Sequence, residues 1–168
     1  MTTLYTASVP VFKQMISALS DVLNKAEIYA TDKKVDPNVL LQSRLYPDMF
    51  PLIRQVQIAT DFAKSVPSRL AGIEVAAYDD SEQSFAELQT RIKKTLAVLE
   101  GFTADQINGK ETLEIVLRAG TPKEKKLTGE TYLLNYGLPQ FFFHVTSAYA
   151  ILRHNGVEVG KRDFMGAY

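Results

Sequence analysis

The sequence predicts a mainly α-helical fold: a four-helix bundle with a small β-hairpin inserted between its third and fourth long helices. Three observations predict it. Four long stretches carry apolar residues at steps of three and four, the spacing of one buried helix face. One segment, residues 113–117, alternates apolar and polar instead, as a half-buried strand does. The chain has 168 residues and is 46% hydrophobic, enough for one sizeable core and too little for two, so residues 1–168 read as one domain.

The first helix is expected over residues 8–30. Phe12, Met15, Leu19, Val22, Leu23 and Ala26 form its stripe, Ser8 is the candidate N-cap, and Pro10 is tolerated in the first turn. Thr31-Asp32-Lys33-Lys34 ends the periodicity. Asp36-Pro37 then reads as a cap and a first-position proline opening a short turn over residues 37–45. Pro47 or Pro51 starts the second long helix. Its face runs through Ile53, Val56, Ala59, Ala63 and Val66 to Leu70, with Pro67 a candidate kink and Gly72 a candidate stop.

Residues 74–80 form a connector, and Asp79, Asp80 or Ser81 is expected to cap the third helix. That helix has the cleanest stripe, Phe85, Leu88, Ile92, Leu96 and Leu99, with Gly101 just beyond. After it Leu113, Ile115 and Leu117 form a strand, the polar run from Ala119 to Lys126 a turn, and residues 127–131 a returning strand. Leu138-Pro139 opens the last helix, which ends at His154 before Asn155-Gly156. The tail GVEVGKRDFMGAY ends in apolar and aromatic residues and is expected to lie against the bundle. A lone amphipathic helix is marginal in water, so the four stripes must bury one another.

Composition excludes several function classes. Nineteen Lys and Arg balance nineteen Asp and Glu, which removes the surplus positive charge that attracts nucleic-acid phosphates. With no cysteine there is no disulfide, no thiolate nucleophile and no Cys-ligated zinc or iron–sulfur centre, and two histidines restrict zinc chemistry further. No stretch is long and apolar enough for a membrane span and no signal peptide is visible, so a cytoplasmic location is expected. No P-loop, dinucleotide GxGxxG, GxSxG elbow or HExxH motif is present.

The candidate chemistry lies on the last helix. At 100° per residue Phe141, His144, Val145, Ala148, Ile151 and Leu152 share one face, so His144 points to the core with Gln140 one turn before it. Such an imidazole is a metal ligand, a general base or, most commonly, a structural hydrogen-bonding group. His154, in the last turn, suits the helix dipole. Phe141, Phe142 and Phe143 point in three directions, so the hairpin or a partner subunit must cover part of this helix; Tyr149 also lies off the core face. On the second long helix Gln57, Asp61 and Lys64 occupy one shoulder of the stripe and Gln55 the other. Asp61 there can pair with a base, bind a metal or be solvated. Lys161-Arg162-Asp163 reads as a surface turn with local ion pairing, with anion binding as its rarer meaning.

The closing stretch PQFFFHVTSAYAILRHNGVEVGKRDF resembles the C-terminal signature of an uncharacterised bacterial family within the DinB/YfiT-like metalloenzyme superfamily, and RLYPDMFPLIRQVQIATDFAK is similar to that family's second-helix motif. The resemblance implies a four-helix bundle, often dimeric. In many members a divalent metal is held by one histidine on the second helix and an HxxxH pair on the last, and some members are thiol-dependent transferases. Here His144 matches the second histidine of the pair, Gln140 stands at the first, and the second-helix position falls at Gln57, with Gln55 as an alternative and Asp61 one turn on. One imidazole with two amides holds zinc or nickel poorly.

The expected function is therefore a homodimeric, ligand-binding or non-catalytic relative that has lost most of the metal site. It has a small-molecule pocket around His144, Gln140, Gln57, Asp61 and Tyr149, and at most a weakly bound divalent metal on His144, Gln140 and Gln57. The alternative is a metal-dependent enzyme, thiol transferase or hydrolase-like, using His144 between the second and last long helices with Asp61 as helper. A third reading takes the Lys-rich turn at residues 123–126 as an interaction module. No nucleic-acid or membrane partner is expected.

Overall fold

A computed structural model describes residues 2–168. The four long helices are α1 (Val9–Lys33), α3 (Leu52–Leu70), α4 (Phe85–Glu100) and α7 (Leu138–His154). Helix α3 packs on α7 and α4, and α1 closes the bundle against α4, α3 and α7. Short elements decorate it: α2 (Pro37–Leu41), α5 (Ala104–Ile107), the strands β1 (Glu114–Leu117) and β2 (Lys125–Thr128), α6 (Gly129–Thr131) and α8 (Lys161–Met165). This is the mainly helical bundle with an antiparallel hairpin that the periodicities predict.

The stripes read from the sequence are the buried faces. Phe12, Leu19 and Leu23 of α1 meet Val56, Ala63 and Leu70 of α3, Phe85, Leu88 and Ile92 of α4, and Phe141, Ile151 and Leu152 of α7 in one core. Phe12 and Phe141 pack edge to face at 4.8 Å, a geometry worth about 1 kcal/mol beyond the area it buries. In the hairpin Ile115 pairs with Leu127 and Leu117 with Lys125, and Ile115 and Leu117 point inward.

Several local expectations need correction. Ser8 stands at the N-cap position of α1, but its hydroxyl donates back to the Leu4 carbonyl at 2.6 Å because the preceding residues already turn. The short turn after Asp36 ends at Leu41, not 45, with Asp36 accepting from the Asn38 amide at 2.9 Å. Helix α3 begins at Leu52 directly after Pro51, one of the two expected starts, and its helical backbone runs through Pro67 to Leu70. Helix α4 is capped by Ser84, whose hydroxyl accepts from the Glu87 amide; Asp79, Asp80 and Ser81 lie in the connector.

The returning strand covers 125–128 rather than 127–131, because the chain turns helical at Gly129. From there α6 continues through a π-helical turn, Tyr132–Gly137, straight into α7. A β-carbon at Gly137 would lie 2.7 Å from Val66 Cγ2, so glycine lets the start of α7 press onto α3. The tail folds back as expected: α8 lies on α1, the Gln14 side chain donates to the Met165 carbonyl at 2.9 Å, and Phe164 meets Tyr149.

Candidate functional site

His144 is buried on the inward face of α7, one side of which packs on α3. Its Nδ1 lies 2.7 Å from Gln55 Oε1. The amide nitrogen of Gln55 donates to the Phe50 carbonyl at 3.1 Å, which fixes the amide with its oxygen toward the ring. An amide oxygen only accepts, so Nδ1 carries the proton and Nε2 keeps a lone pair. Among the described residues no buried side-chain nitrogen or oxygen lacks a partner. Nε2 has none within the protein, so it reaches solvent.

The ring lies nearly parallel to Phe62, 6.2 Å between centres, and perpendicular to Phe143 at 5.2 Å. Burial, reinforced by the positive charge of Arg54, pushes the His144 pKa down to about 4. The ring is therefore neutral near pH 7, with one oriented acceptor. Such a group can take a hydrogen bond or supply a single ligand to a cation, but as a general base it is weak, because its pKa lies well below neutrality.

The other expected site residues are not gathered around this ring. Gln140 lies one turn before His144, half-buried, and makes no hydrogen bond to it. Gln57 faces the other flank of α3, where its oxygen accepts from Arg54 at 3.2 Å and its nitrogen donates to Glu82 at 2.9 Å. Asp61 lies on that flank too: one of its oxygens accepts from Arg91 at 2.8 Å and from Lys64 at 3.0 Å. Tyr149 packs against Phe164 of α8, ring centres 5.6 Å apart.

The superfamily's metal does not fit this donor set. Gln55, the amide that meets His144, offers the ring its oxygen as a hydrogen-bond acceptor, and Gln57 is committed elsewhere. One imidazole nitrogen remains, against the three protein ligands a catalytic zinc site needs. Among the described residues no three His, Asp or Glu side chains form a group able to hold a metal ion.

On the flank shared with α4, Arg91 is almost wholly buried. Its Nε donates to Thr60 Oγ1 at 2.6 Å, and its terminal nitrogens reach Asp61, the Gln57 carbonyl, and Asp80 and Glu82 at 3.0 Å each. Arg54 also pairs with Asp80. The Tyr78 ring receives Lys64, Arg91 and Lys94 within 4.3–4.9 Å of its centre. The connector between α3 and α4 is thereby tied down over buried cations. Sequence reasoning missed Arg91, although its place three residues after Leu88 and one before Ile92 puts it on the edge of the buried stripe.

Residues 4–165 match the family described as Domain of unknown function, DUF1993. The crystal structure of a DinB family member protein from Shewanella denitrificans, at 1.83 Å resolution, is 46% identical and superposes with a TM-score of 0.92, covering 98% of this chain and 93% of that one. No curated protein matches the chain. Among the described residues no helix is long and apolar enough to cross a membrane. The chain thus belongs to the DUF1993 family and has the DinB-like helical fold.

Proposed function

We propose that this protein is a homodimeric, ligand-binding DinB-like bundle that works without the superfamily's three-histidine metal chemistry. The observation that carries this reading is the His144–Gln55 pair: an amide stands against the imidazole of the α3–α7 seam, and the ring keeps one solvent-reaching acceptor. Such a centre suits a hydrogen-bonded small molecule better than a transition ion. The dimer is supported by an apolar surface beside this seam. Leu45, Met49, Phe142 and Phe143 line a shallow groove, Phe143 is 56% exposed, and Tyr46 and Phe50 of the same loop are exposed as well. Clustered exposed aromatics are a common signature of protein interfaces, and a second copy is the occupant proposed here. Native mass measurement tests it. A dimer that Phe143→Ser converts to monomer is expected; a wild-type monomer at high concentration contradicts it.

One observation favours the second reading, a metal-dependent thiol transferase or hydrolase-like enzyme: Nδ1–H is held by an acceptor while Nε2 stays open, as in metal-ligating histidines. Elemental analysis of untreated protein, with His144→Ala beside it, separates the two. Stoichiometric metal lost in His144→Ala supports the enzyme; no metal, with an effect of the substitution on stability alone, supports the ligand-binding protein.

A further inference from the structure

A second cavity, of about 190 Å³, lies where the hairpin and the π-helical turn meet α3. Asp61, Phe62, Ser65 and Arg69 of α3, Arg118 after β1, and Tyr136 line it. His144 does not line it, and the reading above makes no use of it.

The charges here are unbalanced. Arg69 donates to the Tyr132 hydroxyl at 3.0 Å, and neither Arg69 nor Arg118 forms an ion pair with a described carboxylate. Burial raises the Tyr132 pKa, so its hydroxyl stays neutral and does not offset Arg69. Asp61 brings one negative charge to the lining against these two cations, and its Oδ1 is bound by Arg91 and Lys64. Arg118, exposed at the start of the hairpin turn, holds a left-handed backbone, φ 54°, and lines the cavity.

We propose that this cavity binds a small oxyanion, phosphate or carboxylate, between the Arg69 and Arg118 guanidinium groups, with the Ser65 and Tyr136 hydroxyls as further hydrogen-bonding groups. Guanidinium groups match such anions through paired N–H donors. The volume is below the roughly 300 Å³ at which sites for drug-sized ligands begin, so the occupant is a small ion or the anionic end of a larger molecule.

Inorganic phosphate and, separately, acetate are titrated into the full chain at constant ionic strength, with amide and arginine side-chain NMR signals followed. Saturable shifts at Arg69, Arg118 and Tyr136 are expected with at least one anion, and the stronger one identifies the class. Arg118→Gly, which removes the guanidinium and relieves the positive φ, is expected to weaken binding about tenfold or more, and Arg69→Gln likewise. Lys125→Gln, on the exposed face of the hairpin, leaves it unchanged. Shifts that do not saturate with either anion, or binding that survives Arg118→Gly, overturn the proposal.

Discussion

Helix α3 carries two polar centres on two flanks, and they are built differently. Toward α4, Arg91 spends its donors on Thr60, Asp61, Asp80, Glu82 and the Gln57 carbonyl. Toward α7, His144 has one protein partner, Gln55, two aromatic neighbours and an acceptor that reaches solvent. The Arg91 cluster is closed: its cation is satisfied by the chain itself, and its consequence is to fix the connector over α3 and α4. The His144 pair is left open at one atom. Polar groups whose bonds are all made within the chain hold the fold, and the group with one left over is the candidate for function.

This contrast is open to direct attack. The largest effect is expected at Arg91. Arg91→Met removes the cation that Asp61, Asp80 and Glu82 share and should cost about 3 kcal/mol in urea unfolding, the lower end for a broken buried pair because Asp61 keeps Lys64, Asp80 keeps Arg54 and the carboxylates keep some contact with water. A loss below about 1 kcal/mol would mean that the cluster does not hold the connector.

Next in size is the pH dependence of the open centre. The folded pKa of His144, about 4, is below the unfolded value near 6.5, so the folded state binds fewer protons between them. The His144 contribution is full above pH 6.5, falls as pH drops toward 4, and is gone below; the loss across this window is about 3 kcal/mol. Asp80 and Asp163, both held below the usual carboxylate range, titrate beneath it. His144→Leu should flatten the slope. An unchanged slope would place its origin elsewhere.

The seam between α3 and α7 sharpens the comparison further. Gly137→Ala drives a methyl into Val66 and is expected to cost about 1–2 kcal/mol, with part regained in the Gly137→Ala, Val66→Ala double variant. Additive losses in thermal unfolding would show that the two do not meet. The smallest effect belongs to an exposed contact, Lys25 with Asp163 at 2.7 Å, where Asp163→Asn should cost less than about 1 kcal/mol and less still in high salt.

The helices were legible because the core is made of periodic stripes: those from Phe12 to Ala26, Phe85 to Leu99 and Phe141 to Leu152 are buried where a 3.6-residue repeat puts them, with Leu96 alone only partly buried. Short elements were not. The π-helical turn at Tyr132–Gly137 shows only as lost rhythm, since one added residue per turn shifts the face without changing composition. The site was half legible. His144 faces inward as its spacing requires, but Gln57 and Gln55 differ by two residues, and only three-dimensional packing tells which shoulder of α3 meets α7. That same packing sends Gln57 and Asp61 to Arg91. Seven residues separate Gln55 from Phe62, which returns a helix to nearly the same face, and both meet His144.

The central claim is that Gln55 holds His144 as a neutral Nδ1–H ring whose single open nitrogen does not retain a transition ion. Ring-nitrogen NMR of His144 at pH 7, before and after addition of stoichiometric zinc, tests it. A protonated Nδ1, an unprotonated Nε2, a titration midpoint near pH 4 and signals that zinc leaves in place are expected. A ring protonated on Nε2, or one that zinc captures at stoichiometric concentration, would contradict it.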